Sequence, residues 1–120
     1  MTYTEMKNFL AMLDDPALRM EAVMDFGSHM DPVPATATCY EINGCASHAE
    51  ICRDGNQFYG VADSALVRGI IAILTAMVDG RTPDEIRNMD IAGEFASLNI
   101  NLGAGRMSGL NSMIRFLQNL

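Results

Sequence analysis

The longest apolar run in the chain lies between positions 65 and 78, and it limits the folds that are open to this sequence. The run reads ALVRGIIAILTAMV, fourteen residues in which Arg68 and Thr75 are the only polar side chains. A helix that is apolar on nearly every face must be surrounded by other elements. It is too short and too charged to cross a bilayer. The run therefore predicts a central buried helix, with Arg68 and Thr75, seven positions apart, on its one exposed face.

Helix signals occur on both sides of this run. Apolar stripes at helical spacing predict two helices before it, separated by Asp15-Pro16 and ended by the prolines at 32 and 34. After it, Gly80 is the expected helix stop, and the TPDE sequence at 82–85 is a capping box with proline at the first helical position. Three more helices are predicted, near 82–89, near 90–98, and from about 105–108 towards the end of the chain.

The segment between the second helix and the apolar run has the character of β structure. Strands are predicted at Thr38–Ile42, Ser47–Arg53 and Gln57–Ala62, and Asp54-Gly55-Asn56 is a typical tight hairpin turn. The predicted fold class is therefore α+β, a small antiparallel three-stranded sheet with helices packed on one face. At 120 residues, the length predicts a single domain, residues 1–120.

The charge balance excludes some classes of partner. Eight basic against 15 acidic side chains give a formal net charge of −7. Nucleic acids and anionic membranes attract clusters of Lys and Arg, so neither is the expected partner, whereas a basic site on another protein is. The first residues, MTYTEMKNFL, lack the basic and apolar regions of a secretory signal, so a cytoplasmic location is expected.

The stretch INGCASHAEIC, residues 42–52, concentrates the reactive side chains. Together with Cys39 it makes three cysteines, an odd count that leaves at least one thiol free in any scheme of intramolecular disulfides. Five and six residues separate the cysteines, and no CxxC pair occurs. A site of three cysteines and His48 is conceivable, but the spacing is not that of the usual structural zinc sites.

Two other interpretations of this stretch stay open from spacing alone. Gly44 predicts a bend before Cys45, and a thiol at a loop tip would be a nucleophile if its pKa were lowered. A hydrolytic Cys-His pair would also need an orienting group and an oxyanion site, and neither has a local signature here. The remaining interpretation is that all three cysteines are small buried hydrophobes.

Four collinear segments resemble the SufE family of sulfur-acceptor proteins in order and spacing. They are Gly44-Cys45-x-Ser47 followed by a short hairpin, then Asp63–Leu74, Gly80–Ile86 and Arg106–Ile114. The resemblance extends from about Phe9 to Leu117, which is nearly the whole chain.

The resemblance implies a two-layer α+β fold, shared with IscU-type scaffold proteins, with the active cysteine on a loop at one end of the sheet. It implies that Cys45 accepts sulfane sulfur from a pyridoxal-phosphate-dependent cysteine desulfurase, stimulates that enzyme, and passes the sulfur on for iron–sulfur cluster assembly. The chain would then be an accessory sulfur-transfer protein rather than a stand-alone enzyme. It would hold no cofactor or metal of its own, and Cys39 and Cys52 would be structural.

The same resemblance indicates which residues surround Cys45. His48 and Glu50 stand where the family usually has Gln and Trp, and an imidazolium near Cys45 would favour its thiolate. The residues expected to flank the site or face the partner are Gly44, Ser47, His48, Asp63 and Arg106.

Two alternatives belong to other functional classes. One is an IscU-like iron–sulfur or zinc-binding scaffold that uses Cys39, Cys45 and Cys52, with or without His48. The other is an interaction domain that keeps the fold and has lost the chemistry.

Overall fold

Six helices and three strands follow one another in the order that the sequence predicts. The structure is a computed structural model and describes residues 1–120. The helices and strands are α1 Tyr3–Ala11, α2 Pro16–Ser28, β1 Thr38–Glu41, β2 Ala49–Asp54, β3 Gln57–Ala62, α3 Ala65–Val78, α4 Pro83–Arg87, α5 Ile91–Ala96 and α6 Ala104–Gln118. The α+β fold class is therefore confirmed. The strand β2 begins two residues later than predicted, which leaves Ser47 and His48 in the loop before it.

Helix α3 is the centre of the core, as its composition predicts. It packs against α2 on one side and against the sheet on the other, and both contacts need a glycine. A Cβ atom on Gly69 would lie 2.1 Å from the carbonyl oxygen of Val23 in α2. A Cβ atom on Gly60 in β3 would lie 2.2 Å from Cγ2 of Ile71. Glycine at these positions lets the backbone of α3 approach the backbone of α2, and lets the backbone of β3 approach the side chain of Ile71. None of the helices has the length and apolar content that crossing a bilayer requires.

The prediction that Thr75 lies on an exposed face of α3 is wrong. Arg68 is exposed, but Thr75 is only 6% exposed. Its hydroxyl donates to the carbonyl oxygen of Ile71 at 2.8 Å, one turn earlier in the same helix. A threonine can therefore be buried in this helix without an unpaired polar atom, because the helix backbone supplies the acceptor.

The sheet is antiparallel with strand order β1-β2-β3. Its inner face packs on the helices: Ile51 is fully buried between its register partners Tyr40 and Gly60, and the ring of Tyr40 lies 5.2 Å from that of Phe116 in α6. Because side chains alternate along a strand, the neighbours of these residues lie on the outer face. The helices thus cover one face of the sheet, as predicted.

Cys39 and Cys52 form a disulfide across β1 and β2, a pairing that the sequence analysis did not specify when it assigned them a structural role. They are directly opposed in the register, and their Cα atoms are 3.9 Å apart. Cys39 is exposed on the edge strand, whereas Cys52 is fully buried between Cys39 and Tyr59. In a reducing compartment the same two thiols would face one another without the bond.

The disulfide should stabilise the protein measurably. It closes a loop with a sequence separation of 13 residues, for which chain entropy predicts a loss of about 3 kcal/mol in the free energy of unfolding when the bond is reduced. Urea denaturation of a Cys45→Ser variant, with and without reductant, measures this difference without interference from the third thiol. A variant that also carries Cys39→Ala and Cys52→Ala is the control and should not respond to reductant. Equal stability of the oxidised and reduced Cys45→Ser protein would contradict the prediction.

Candidate functional site

Cys45 lies on the loop between β1 and β2, at one end of the sheet. Gly44 before it has φ = +86°, a conformation that glycine adopts without strain. Two backbone hydrogen bonds close the base of the loop. The amide of Ile42 donates to the carbonyl of Ala49 at 2.9 Å, and the carbonyl of His48 accepts from the amide of Asp63 at 3.2 Å. The bend predicted at Gly44 is therefore present. The end of β1, the start of β2 and the end of β3 are all connected at its base by these hydrogen bonds.

The loop packs on a face of α6 that carries only small side chains. A Cβ atom on Gly109 would lie 2.8 Å from Sγ of Cys45. A Cβ atom on Gly44 would lie 3.0 Å from Oγ of Ser112 and 3.2 Å from Oγ of Ser108. Gly109 lies in the segment 106–114 that resembles the SufE family, but the sequence alone indicates no role for it. Its spacing with Ser108 and Ser112 on one helical face was the available signal.

The Cys45 thiol is half-buried in a narrow cavity between the loop, α3 and α6. The cavity has a volume of about 30 Å³, enough for a water molecule but not for the side chain of another protein. Its lining residues are Gly44, Cys45, Ala46, Ser47, Val67, Ile70, Gly105, Arg106, Gly109, Leu110 and Met113. Ser47 and Arg106 therefore lie in the same cavity as Cys45.

Burial raises the pKa of the Cys45 thiol above its ordinary value, and no charged group offsets that effect. Arg106 is exposed on the first turn of α6, where it lines the cavity, and its guanidinium has no hydrogen bond or ion pair. In this arrangement the thiol is protonated at neutral pH and only partly exposed to solvent. No contact in the cavity favours its thiolate.

His48 contacts carboxylates and makes no hydrogen bond with the thiol. Its Nε2 atom lies 2.6 Å from Oε2 of Glu50, and its Nδ1 atom lies 3.8 Å from Oε1 of Glu41. The hydrogen bond with Glu50 is the main cause that raises the pKa of His48. The structure therefore shows no contact through which the imidazole would favour the Cys45 thiolate.

Asp63 is not the N-cap of α3. Ser64 takes that position, and its hydroxyl accepts from the amide of Val67. Asp63 is exposed, its backbone amide donates to the His48 carbonyl, and its charge contributes to the raised pKa of His48. Asp63 thus belongs to the base of the Cys45 loop rather than to the helix.

The structure does not bring the three cysteines together as metal ligands. Cys39 and Cys52 are bonded to each other, and Cys45 is the one free cysteine. No group of three or more His, Cys, Asp or Glu side chains has an arrangement that could hold a metal ion. The arrangement expected for a three-cysteine scaffold is therefore absent from this fold.

Comparison with known families agrees with the resemblance seen in the sequence. Residues 4–120 match the family described as "SufE: Fe-S metabolism associated domain". The chain belongs to the SufE family. This membership associates it with iron–sulfur metabolism.

Individual relatives cover most of the chain. An uncharacterised SufE-like protein of Rhizobium meliloti (strain 1021) is 29% identical over 117 residues, which cover 88% of this chain and 84% of that protein. One of Synechocystis sp. is 27% identical over 113 residues, covering 87% of this chain and 70% of that protein. The solution structure of a hypothetical protein from Thermus thermophilus has the same fold, with a TM-score of 0.72, 16% identity, and coverage of 99% of this chain and 94% of that one.

Gly109→Ala should push the Cys45 thiol out of its cavity, because the added methyl group would overlap the sulfur. We expect a loss of about 1–3 kcal/mol in the free energy of unfolding, typical of overpacking, together with faster alkylation of Cys45 by iodoacetamide. Urea denaturation and mass spectrometry measure the two effects.

Gly105→Ala is the matched control for this substitution. Gly105 lies one turn earlier on the same helix, and a Cβ atom there meets nothing within 4 Å. This variant should lose no stability and should leave the alkylation rate unchanged. If both alanine variants behaved alike, the contact between Gly109 and Cys45 would not control exposure of the thiol.

Proposed function

We propose that residues 1–120 act as a sulfur-carrier domain in which Cys45 accepts persulfide sulfur from a pyridoxal-phosphate-dependent cysteine desulfurase. The carrier stimulates the desulfurase by removing its product and delivers the sulfur to a downstream iron–sulfur scaffold. The observation that carries this proposal is the single free thiol, held on a loop at the end of the sheet in a chain of the SufE family. The pyridoxal phosphate belongs to the partner enzyme.

The transfer is a thiol–disulfide type of exchange. The Cys45 thiolate attacks the outer sulfur of the desulfurase persulfide, a new S–S bond forms on Cys45, and the old S–S bond breaks. Its electron pair stays on the desulfurase cysteine, which leaves as a thiolate. The exchange needs no acid–base pair, metal or cofactor on the acceptor, and the Cys45 cavity contains no such pair.

Movement of the loop would make the half-buried Cys45 thiol fully accessible for this reaction. The cavity around Cys45 is too small for a second cysteine, and burial raises the pKa of the thiol. Leaving the cavity would bring the sulfur into contact with the partner and remove the desolvation that disfavours the thiolate. Arg106, an exposed cation at the rim of the cavity, would then be free to pair with an anionic sulfur or with the partner.

The burial of the resting thiol is consistent with a carrier. A permanently exposed thiolate is open to oxidation and to unwanted exchange, whereas a buried thiol is inert. Greater exposure on docking would favour sulfur transfer from the cognate enzyme. We therefore expect the complex to promote the activating step beyond the access that the free protein allows.

Cys45→Ser should abolish sulfur acceptance, because the hydroxyl cannot form a persulfide under these conditions. After incubation with a cysteine desulfurase and cysteine, mass spectrometry of the wild-type protein should find the mass of one additional sulfur atom on the peptide containing Cys45. The variant should carry no such adduct and should not stimulate sulfide release.

The double variant Cys39→Ser/Cys52→Ser is the control. It removes the other two cysteines and should still accept sulfur at Cys45, when it is assayed at a temperature where it is folded. Normal stimulation by Cys45→Ser would refute the carrier function. An adduct on no residue of the wild-type protein would favour a domain that keeps the fold without the chemistry.

A further inference from the structure

Two carboxylates oppose each other at the base of the Cys45 loop. Glu41 ends β1 and is directly opposite Glu50 in β2, on the same outer face of the sheet as the disulfide. Like charges in this position destabilise strand pairing. The imidazole of His48 lies against both, 2.6 Å from Glu50 and 3.8 Å from Glu41. A positive charge on His48 would therefore cancel the repulsion between β1 and β2.

His48 is also the last residue of the loop that carries Cys45. Its backbone carbonyl accepts from the amide of Asp63, which follows β3. Through its side chain and its backbone, His48 thus connects the ends of all three strands. Weaker contacts of His48 would therefore act directly on Cys45, which lies three residues earlier in the same loop.

The charged groups that face His48 are all carboxylates: Glu50 from β2, Glu41 from β1 and Asp63 from the junction of β3 with α3. Together they raise the pKa of His48 above its ordinary value of 6.5, with the Glu50 hydrogen bond as the largest cause. A raised pKa in the folded loop means that protonation favours this arrangement. The stabilisation is complete below pH 6.5 and is lost as pH rises through the higher pKa of the folded protein.

We propose that His48 is a positioning residue whose protonated imidazole holds the base of the Cys45 loop closed, so that loss of its proton releases the loop and exposes the thiol. The neutral imidazole leaves Glu41 and Glu50 opposed without a countercharge, and the strand ends separate more readily. Access to Cys45 therefore increases across the neutral pH range, independently of the ionisation of the thiol itself. The significance of this for sulfur transfer rests on the proposed function.

The test is the rate at which iodoacetamide alkylates Cys45, measured by mass spectrometry as a function of pH in the absence of reductant. Iodoacetamide is uncharged, so changes in surface charge do not alter its approach. His48→Gln keeps a hydrogen-bonding group and removes the charge. At about pH 6, this variant should be alkylated roughly two- to fivefold faster than the wild type, as expected for the loss of a cross-strand charge pair. At about pH 9, the two rates should converge.

The substitution Glu41→Gln should have the opposite effect to His48→Gln. It removes the repulsion between Glu41 and Glu50, so Cys45 should stay protected at high pH. Alkylation of Cys45 at high pH should then be slower than in the wild type. Glu41 is exposed and outside the cavity, so this substitution should not disturb folding. Thermal unfolding followed by circular dichroism checks that both variants are folded.

Two results would overturn the proposal. Equal rates for wild type and His48→Gln at every pH would mean that His48 does not restrain the loop. A constant ratio across the pH range would mean that the substitution merely loosens the protein, without any role for the proton. The assay contains no desulfurase, so its outcome is separate from that of the persulfide test. Failure of Cys45 to accept sulfur would leave the loop measurement intact.

Discussion

The close approach of α3 to its neighbours is the constraint on which the rest of the structure depends. An almost wholly apolar helix has to be covered on all sides, and Gly69 and Gly60 allow α2 and the sheet to reach it. The sheet can then offer one face to the helices and leave the other to solvent. Its end, next to α6, becomes the place where the loop with Cys45 is held. The position of the thiol is therefore a consequence of how the core closes around α3.

The site combines a reactive atom with surroundings that suppress its reactivity. Gly109 brings α6 into contact with the Cys45 sulfur, and burial raises the pKa of the thiol. A hydrolytic cysteine would need a base at this point, and no histidine or carboxylate lines the cavity. Under the proposed function, the acceptor thiol has to stay unreactive until its donor docks. The packing that makes Cys45 a poor free nucleophile would then suit transfer inside a complex.

The strand that leads into the loop has few contacts of its own. All four residues of β1 are exposed, and it is held by β2, by the disulfide to Cys52 and by the contact of Tyr40 with Phe116. Two features of its outer face depend on conditions. The disulfide depends on the redox state, and the contacts of His48 depend on its protonation, which by the inference above controls how firmly Cys45 is kept in its cavity.

The sequence by itself determined the order of the elements, the buried helix, the turn at Gly44-Cys45 and the resemblance to the SufE family. These features depend on local periodicity, caps and glycine, which can be recognised along the chain. Only the tertiary structure decided that Cys39 and Cys52 are bonded, that Thr75 is buried, that Gly109 touches the sulfur, and that His48 faces Glu41 and Glu50 instead of Cys45. Those facts depend on strand register and on distances between elements remote in sequence, and no local spacing specifies either.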